Sequence, residues 1–186
     1  MSSTLTIADE AGDCWADFFN NFDNTGVELF IGDTDAAADR DPRAWMPFTV
    51  PIAKGTVIIS ATLKLIPSQS SSATTSTIKL SCEAADSVSN PSSGADCNGR
   101  TRTTAQSNVT LNQYTVNVLV SYDVTTMVQE ILNRSGWVYG NRLAVMIDDV
   151  NTADKPHKVN SFEAGANKPV LEIVVPDFVP MGSGLI

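Results

Sequence analysis

The clearest feature of the chain is period-two alternation of apolar and polar residues. In 57–66, Val57, Ile59, Ala61, Leu63 and Leu65 share one face, and Ser60, Thr62 and Lys64 take the other. In 77–84, Ile78, Leu80, Cys82 and Ala84 alternate with Thr77, Lys79, Ser81 and Glu83. In 114–122, Tyr114, Val116, Val118, Val120 and Tyr122 do the same. Leu143, Val145 and Ile147 predict a further strand, and Val170–Val175 another. Shorter strands are predicted at Leu5–Ile7, Glu28–Ile31, Met46–Val50 and Val159–Phe162. Such alternation half-buries a strand, and about nine strands with turn residues between them predict an all-β sandwich or jelly roll.

One segment has a different period. Val124, Met127, Val128 and Ile131 fall at i, i+3, i+4 and i+7, predicting one short helix over about 126–134. Thr126 and Gln129 have capping-box spacing, and Gly136 suits a left-handed residue past the helix end. Residues 32–44, 67–76 and 86–113 read as loops. The last is long enough to suggest a contact-making role. The predicted organisation is a single sandwich over 1–175 and an extended arm over 176–186. In that arm Phe178, Val179, Leu185 and Ile186 are candidate apolar anchors for a neighbouring protein, against the alternative of a tail that packs on its own sandwich or is disordered.

Composition narrows the function. The 186 residues carry a net charge of −9, which repels phosphate backbones and anionic lipid. Neither nucleic acid nor membrane is expected as a partner. The N-terminus lacks a basic and then apolar run, so no secretory leader is predicted. A single histidine, His157, rules out a multi-histidine zinc site, and its charged surroundings predict an exposed turn. No serine lies in a nucleophile elbow, and nothing in the sequence pairs Glu130, Glu163 and Glu172 as glycosidase acids. The chain therefore reads as a non-enzyme.

Other residues are candidates for binding. Asp33, Asp35, Asp39 and Asp41 form an acidic loop that offers oxygens to a structural calcium, though a solvated loop explains them as well. No other cofactor is expected. Trp45 and Trp137 are candidates to stack on sugar rings, against the alternative of core packing. Cys82 and Cys97 are fifteen residues apart and could staple the long loop, leaving Cys14 unpaired.

Four segments, in order, resemble DNRLRE-type domains. Ile52–Leu65 resembles their "P-x-G-x-x-I-x-x-A-x-L-x-L" strand, and Tyr122–Ile131 their "D-V-T-x-x-V-Q" helix. Gly140–Ile147 is similar to the strand that follows, and Ser161–Glu163 with Lys168–Ile173 to the closing "S-x-E … P-x-L-x-I". Arg100–Thr104 matches an "R-T-R-T-T" run found in a subgroup. The resemblance implies a jelly-roll β-sandwich similar to carbohydrate-binding modules. It also implies a non-enzymatic structural or adhesive role, such as a phage virion component (a capsid decoration or cement protein). Partners would then be protein neighbours, as a homo-oligomer or on a capsid surface, and the location the virion. The alternative is a carbohydrate-binding or cell-surface adhesion module, extracellular or at the cell surface. In place of that family's "W-x-E … V-T-W" segment stands Asn108-Val109-Thr110-Leu111, so a tryptophan that would pack or stack on a ligand is absent here.

Overall fold

A computed structural model describes residues 2–32, 41–70, 76–150 and 157–177. The acidic-loop residues Asp33, Asp35 and Asp39 lie outside the described residues, as do the arm residues Phe178, Val179, Leu185 and Ile186. In chain order the strands are β1 (Ser2–Ala8), β2 (Cys14–Ala16), β3 (Phe22–Asp23), β4 (Glu28–Gly32), β5 (Arg43–Thr49) and β6 (Ser60–Leu65). They continue as β7 (Ser76–Cys82), β8 (Ser107–Leu111), β9 (Val120–Asp123), β10 (Arg142–Asp149), β11 (His157–Asn160) and β12 (Val170–Pro176). Helix α1 spans Gly94–Gly99, and α2 spans Thr125–Leu132.

The strands form a jelly-roll β-sandwich. One sheet has the order β1-β12-β6-β9, the other β3-β2-β5-β10-β7-β8, and β11 pairs with β4 in a small third sheet. Every pairing is antiparallel. Alternation decides which side chains fill the space between the two large sheets. Ala61, Leu63, Leu65, Leu171 and Ile173 come from one sheet; Met46, Phe48, Ile78, Leu80, Leu143 and Val145 come from the other. Burying each of the larger side chains contributes roughly 1.5–3 kcal/mol before ordering costs.

The predicted strand at 57–66 begins only at Ser60, and its phase breaks there: Ile58 is buried while Val57 and Ile59 are exposed. The predicted strand at 114–122 shortens to β9. Asn117 takes a left-handed φ of 61°, and Val118 N–H donates to Thr115 O, so the chain turns where alternation alone would extend it. Strands β2, β3 and β8 and helix α1 arise within segments too short or too polar to show a period.

Helix α2 forms as the 3.6 period predicts, with Met127, Val128, Ile131 and Leu132 buried. Its start is not a capping box. Asp123 Oδ1 accepts from Thr125 N at 2.9 Å, while Gln129 bonds across to residues 56–58. Gly136 does not adopt the left-handed conformation expected of it. A Cβ there would lie 2.1 Å from Asp86 Oδ2, so glycine permits a close approach instead. Among the described residues no helix is long and apolar enough to cross a membrane.

Candidate binding site

The outer face of the six-stranded sheet is the surface that β5 and β10 would offer to a ligand. Register places Trp45 beside Met146, and Arg43 beside Asp148, on that face. Residues 83–105 fold over it. The covering segment adds a small core of its own, where Cys14, Ala16, Trp45, Val88, Cys97, Ala144 and Met146 are buried together. Trp45 is 0% exposed, and its Nε1–H donates to Glu83 Oε2 at 2.7 Å. It cannot stack on a sugar, because its ring is already the floor beneath this segment.

The "R-T-R-T-T" run is what holds the cover down. Arg100 Nη1 donates to Glu83 Oε1 at 2.9 Å, and its Nε and Nη2 grip both oxygens of Asp96 at 2.9 and 3.0 Å. This guanidinium keeps the Asp96 carboxyl below the usual carboxylate range. Arg102 takes Asp148 at 2.7 and 3.2 Å, and Arg43 Nη1 reaches Asn98 Oδ1 in α1 at 2.9 Å. Thr103 substitutes for a strand partner: its N–H donates to Cys82 O, and its Oγ1 accepts from Cys82 N at 3.0 Å. Helix α1 is capped by Ser93 Oγ, which accepts from Asp96 N. Gly94 lets α1 approach the backbone of Asn20, where a Cβ would meet the carbonyl oxygen at 2.3 Å.

The expected Cys82–Cys97 bridge does not form. All three cysteines are buried and free. Cys82 points into the core between the sheets, while Cys97 lies on the opposite side of its sheet, 3.8 Å from Cys14 Sγ. Sequence spacing could not reveal which face of the sheet each thiol occupies.

Trp137 is buried as well, at 2% exposure, and donates to Ile52 O at 2.9 Å. It anchors the segment after α2 to the segment before β6. Two residues on, Tyr139 sits in a turn closed by Asn141 N to Val138 O and is 66% exposed. Phe18 and Phe19 form an exposed edge-to-face pair with ring centroids 5.7 Å apart. These are the exposed aromatic side chains of the described residues that sequence reasoning missed; isolated aromatics in turns carry no periodic signal.

An open groove of about 530 Å³ runs along the outward face of α2. Ile58, Thr125, Thr126, Gln129, Glu130, Asn133 and Arg134 line it. Thr126, Gln129/Glu130 and Asn133/Arg134 recur at the 3.6 period, opposite the buried stripe of the same helix. The groove wall is held by its own side chains. Gln129 Oε1 accepts from Ile58 N at 2.9 Å and its Nε2 donates to Thr56 O at 3.0 Å, so one amide acts as the strand partner of 56–58. Glu130 accepts the N–H groups of Thr104 and Ala105 at 2.9 and 2.7 Å. Arg134 pairs with Asp86 at 2.7 Å. The groove's exposed lining is therefore mostly carbon, with hydroxyl, amide, carboxylate and guanidinium groups set among it.

The remaining candidates do not converge on a catalytic centre. His157 is fully buried rather than exposed; it lies edge-on to Tyr114 with ring centroids 4.8 Å apart and Nε2 3.3 Å from Asn112 O. Tyr114 and Tyr122 touch through their hydroxyls, and burial pushes Tyr122 up to about 12. Glu172 is on the outer face of β12, paired with Lys64 at 2.6 Å, while Glu130 is committed to backbone N–H groups. Glu163 faces Asp13.

Asp9 and Asp13 form a buried acid pair. Asp9 Oδ1 accepts from Glu10 N at 2.8 Å, and Asp13 Oδ2 accepts from Phe162 N at 2.9 Å. Their other oxygens, Asp9 Oδ2 and Asp13 Oδ1, are buried without a hydrogen-bond partner, which disfavours the charged form of each. Burial, then the charge of Asp13, pushes Asp9 up to about 10; burial pushes Asp13 up to about 7. Among the described residues no group of three or more His, Cys, Asp or Glu has the arrangement to hold a metal ion. Asp41 is the one acidic-loop aspartate described, with a φ of 39°.

No family model matches the sequence, and a search of curated proteins found no match. Several solved structures are similar in fold. A non-crystalline cellulose-specific carbohydrate-binding module, CBM28, aligns with a TM-score of 0.37 at 17% identity, over 72% of this chain and 69% of that one. TmCBM61, in complex with β-1,4-galactotriose, gives 0.34 at 7% identity over 90% and 86%. The family 11 module of the cellulosomal cellulase Lic26A-Cel5E of Clostridium thermocellum gives 0.32 at 10% over 94% and 86%. With TM-scores below 0.5, these likenesses carry no argument about what this chain binds.

Proposed function

We propose that this chain is a non-catalytic binding module that takes a glycan in the groove along α2, as a carbohydrate-binding or cell-surface adhesion module. The observation that carries the reading is an open groove whose mostly carbon lining around Ile58 is interspersed with the side chains of Thr126, Gln129, Glu130, Asn133 and Arg134. Sugars present pairs of vicinal hydroxyls, each both donor and acceptor. Gln129, Glu130 and Arg134 are held by their protein partners, so their remaining donor and acceptor positions, with the exposed Thr126 and Asn133, would meet such pairs at little ordering cost. The groove volume lies within the range of ordinary ligand sites. A ligand of this class puts the working location outside the cell or at its surface.

The test is a glycan array followed by calorimetric titration of any hit. Thr126→Ala/Asn133→Ala removes two exposed groove groups and leaves the Gln129 and Glu130 backbone contacts in place. It should weaken binding about tenfold or more, the equivalent of one or two hydrogen bonds. An array with no hit removes the reading.

A second reading, a structural protein that contacts protein neighbours in an assembly such as a virion, is favoured by one observation. Phe18, Phe19, Val57, Ile59 and Val138 are large apolar residues left exposed. Oligomerisation in sedimentation experiments, together with an empty glycan array, would support it over the first.

A further inference from the structure

We propose that Cys14 and Cys97 are oxidised to a disulfide that fastens the covering segment to the outer sheet face, with Cys82 left as a free thiol. The two residues are 83 apart in sequence, on β2 and α1, and their sulfurs are 3.8 Å apart in the small core beneath the cover. A disulfide requires sulfurs at about 2 Å, a closure that small side-chain rotations can supply when both already point at each other. Cys14 is in register with Trp45, on the face that the cover conceals, so the bond would tie α1 directly onto that face. Cys82 is on the same sheet but on its other side and takes no part.

The local charges suit the chemistry. The Cys14 thiol donates toward Cys97, which draws the Cys97 thiol below its ordinary value against the effect of burial, and Arg102 and Arg100 act in the same direction. Cys97 is carried by α1, in the segment that opens, and this position makes it the first thiol to meet an oxidant. The oxidant is a small-molecule disulfide such as oxidised glutathione, reaching Cys97 when the cover opens locally. The Cys97 thiolate attacks one of its sulfurs, forming a mixed disulfide and expelling one glutathione thiolate. Cys14, losing its proton, attacks the Cys97 sulfur and expels the second. The protein loses two electrons and two protons, and the oxidant becomes two thiols.

The test uses the intact chain. It is incubated with oxidised glutathione, freed of reagent, denatured in iodoacetamide and mapped by mass spectrometry. The expected result is one alkylated cysteine, Cys82, and a cross-linked peptide pair containing Cys14 and Cys97. The same sample should melt several degrees above the chain kept in dithiothreitol, since the bond closes a long loop. Cys82→Ser should give the same cross-link with no alkylation, and Cys14→Ser should retain glutathione on Cys97. Three alkylated cysteines in the wild-type chain, or a cross-link containing Cys82, would overturn the proposal.

Discussion

Trp45 Nε1 donates to Glu83 Oε2 at 2.7 Å, and both side chains are buried. This bond relates the sheet face to the segment over it: the ring that a sheet-face site would present to solvent is covered, and its polar atom is answered by the cover itself. Arg100 completes the contact by neutralising Glu83 from the far side.

Removing Arg100 tests that arrangement. Arg100→Ala leaves Glu83 buried without its cation, which is expected to cost about 3 kcal/mol. The cover should loosen while the main sandwich stays folded. Tryptophan emission should shift to the red with far-UV circular dichroism unchanged. Unchanged emission and unchanged stability would show that the cover does not depend on this ion pair.

Trp137 and Tyr139 should separate structure from binding. Trp137→Ala empties a buried site and is expected to destabilise by about 3–5 kcal/mol in chemical denaturation. Tyr139→Ala touches an exposed ring and should change stability by less than about 0.5 kcal/mol. Because Tyr139 does not line the α2 groove, its loss should also leave glycan affinity unchanged, whereas Thr126→Ala/Asn133→Ala should lower affinity with stability kept.

The acid pair gives a pH dependence with a definite sign. Asp9 titrates near 10 in the folded chain and in the ordinary carboxylate range when unfolded. The folded state thus keeps a proton that the unfolded state releases. That contribution is full below pH ~4 and is lost as pH rises toward ~10. Asp13, raised to about 7, acts in the same direction over the lower part of the window. Denaturation midpoints at pH 5, 7 and 9 should therefore fall with pH, and Asp9→Asn should flatten the slope. A slope that Asp9→Asn leaves unchanged would place the titration elsewhere.

Gln129→Ala should release the 56–58 segment. It removes the bonds to Ile58 N and Thr56 O, and an exposed one to Asn133 Oδ1, at an expected cost of about 1–2 kcal/mol. Amide exchange at Ile58 should accelerate more than at Leu63, which is buried within β6. Equal acceleration at both would mean that the whole sheet, and not the segment, depends on Gln129.

Much of the fold was legible because burial on one face imposes a period. Ala61, Leu63 and Leu65, Leu143, Val145 and Ile147, and the α2 stripe all point inward as their spacing requires. What the period could not show was a second buried face. Trp45, Ala144 and Met146 lie on the outer side of strands whose inner side is also apolar, and only the fold of 83–105 reveals what covers them. The cysteine pairing failed for the same reason. The groove was invisible because the sequence reads Gln129 as a capping-box residue and Glu130 as a candidate acid, and only the fold brings 56–58 and 104–105 against them. His157 lies in a charged stretch of sequence that predicts exposure, yet it is buried against Tyr114, a contact that sequence spacing does not show.

The central claim is that ligand enters the α2 groove and not the covered sheet face. The most direct measurement is amide chemical-shift mapping by NMR during titration with a glycan identified on the array. The account requires the largest shifts at Ile58, Thr125, Thr126, Gln129, Asn133 and Arg134, with Trp45 and its indole N–H unmoved. Shifts concentrated at Trp45, Glu83 and Arg100–Thr103 would contradict it, because they would mean that the cover lifts and the sheet face is the site.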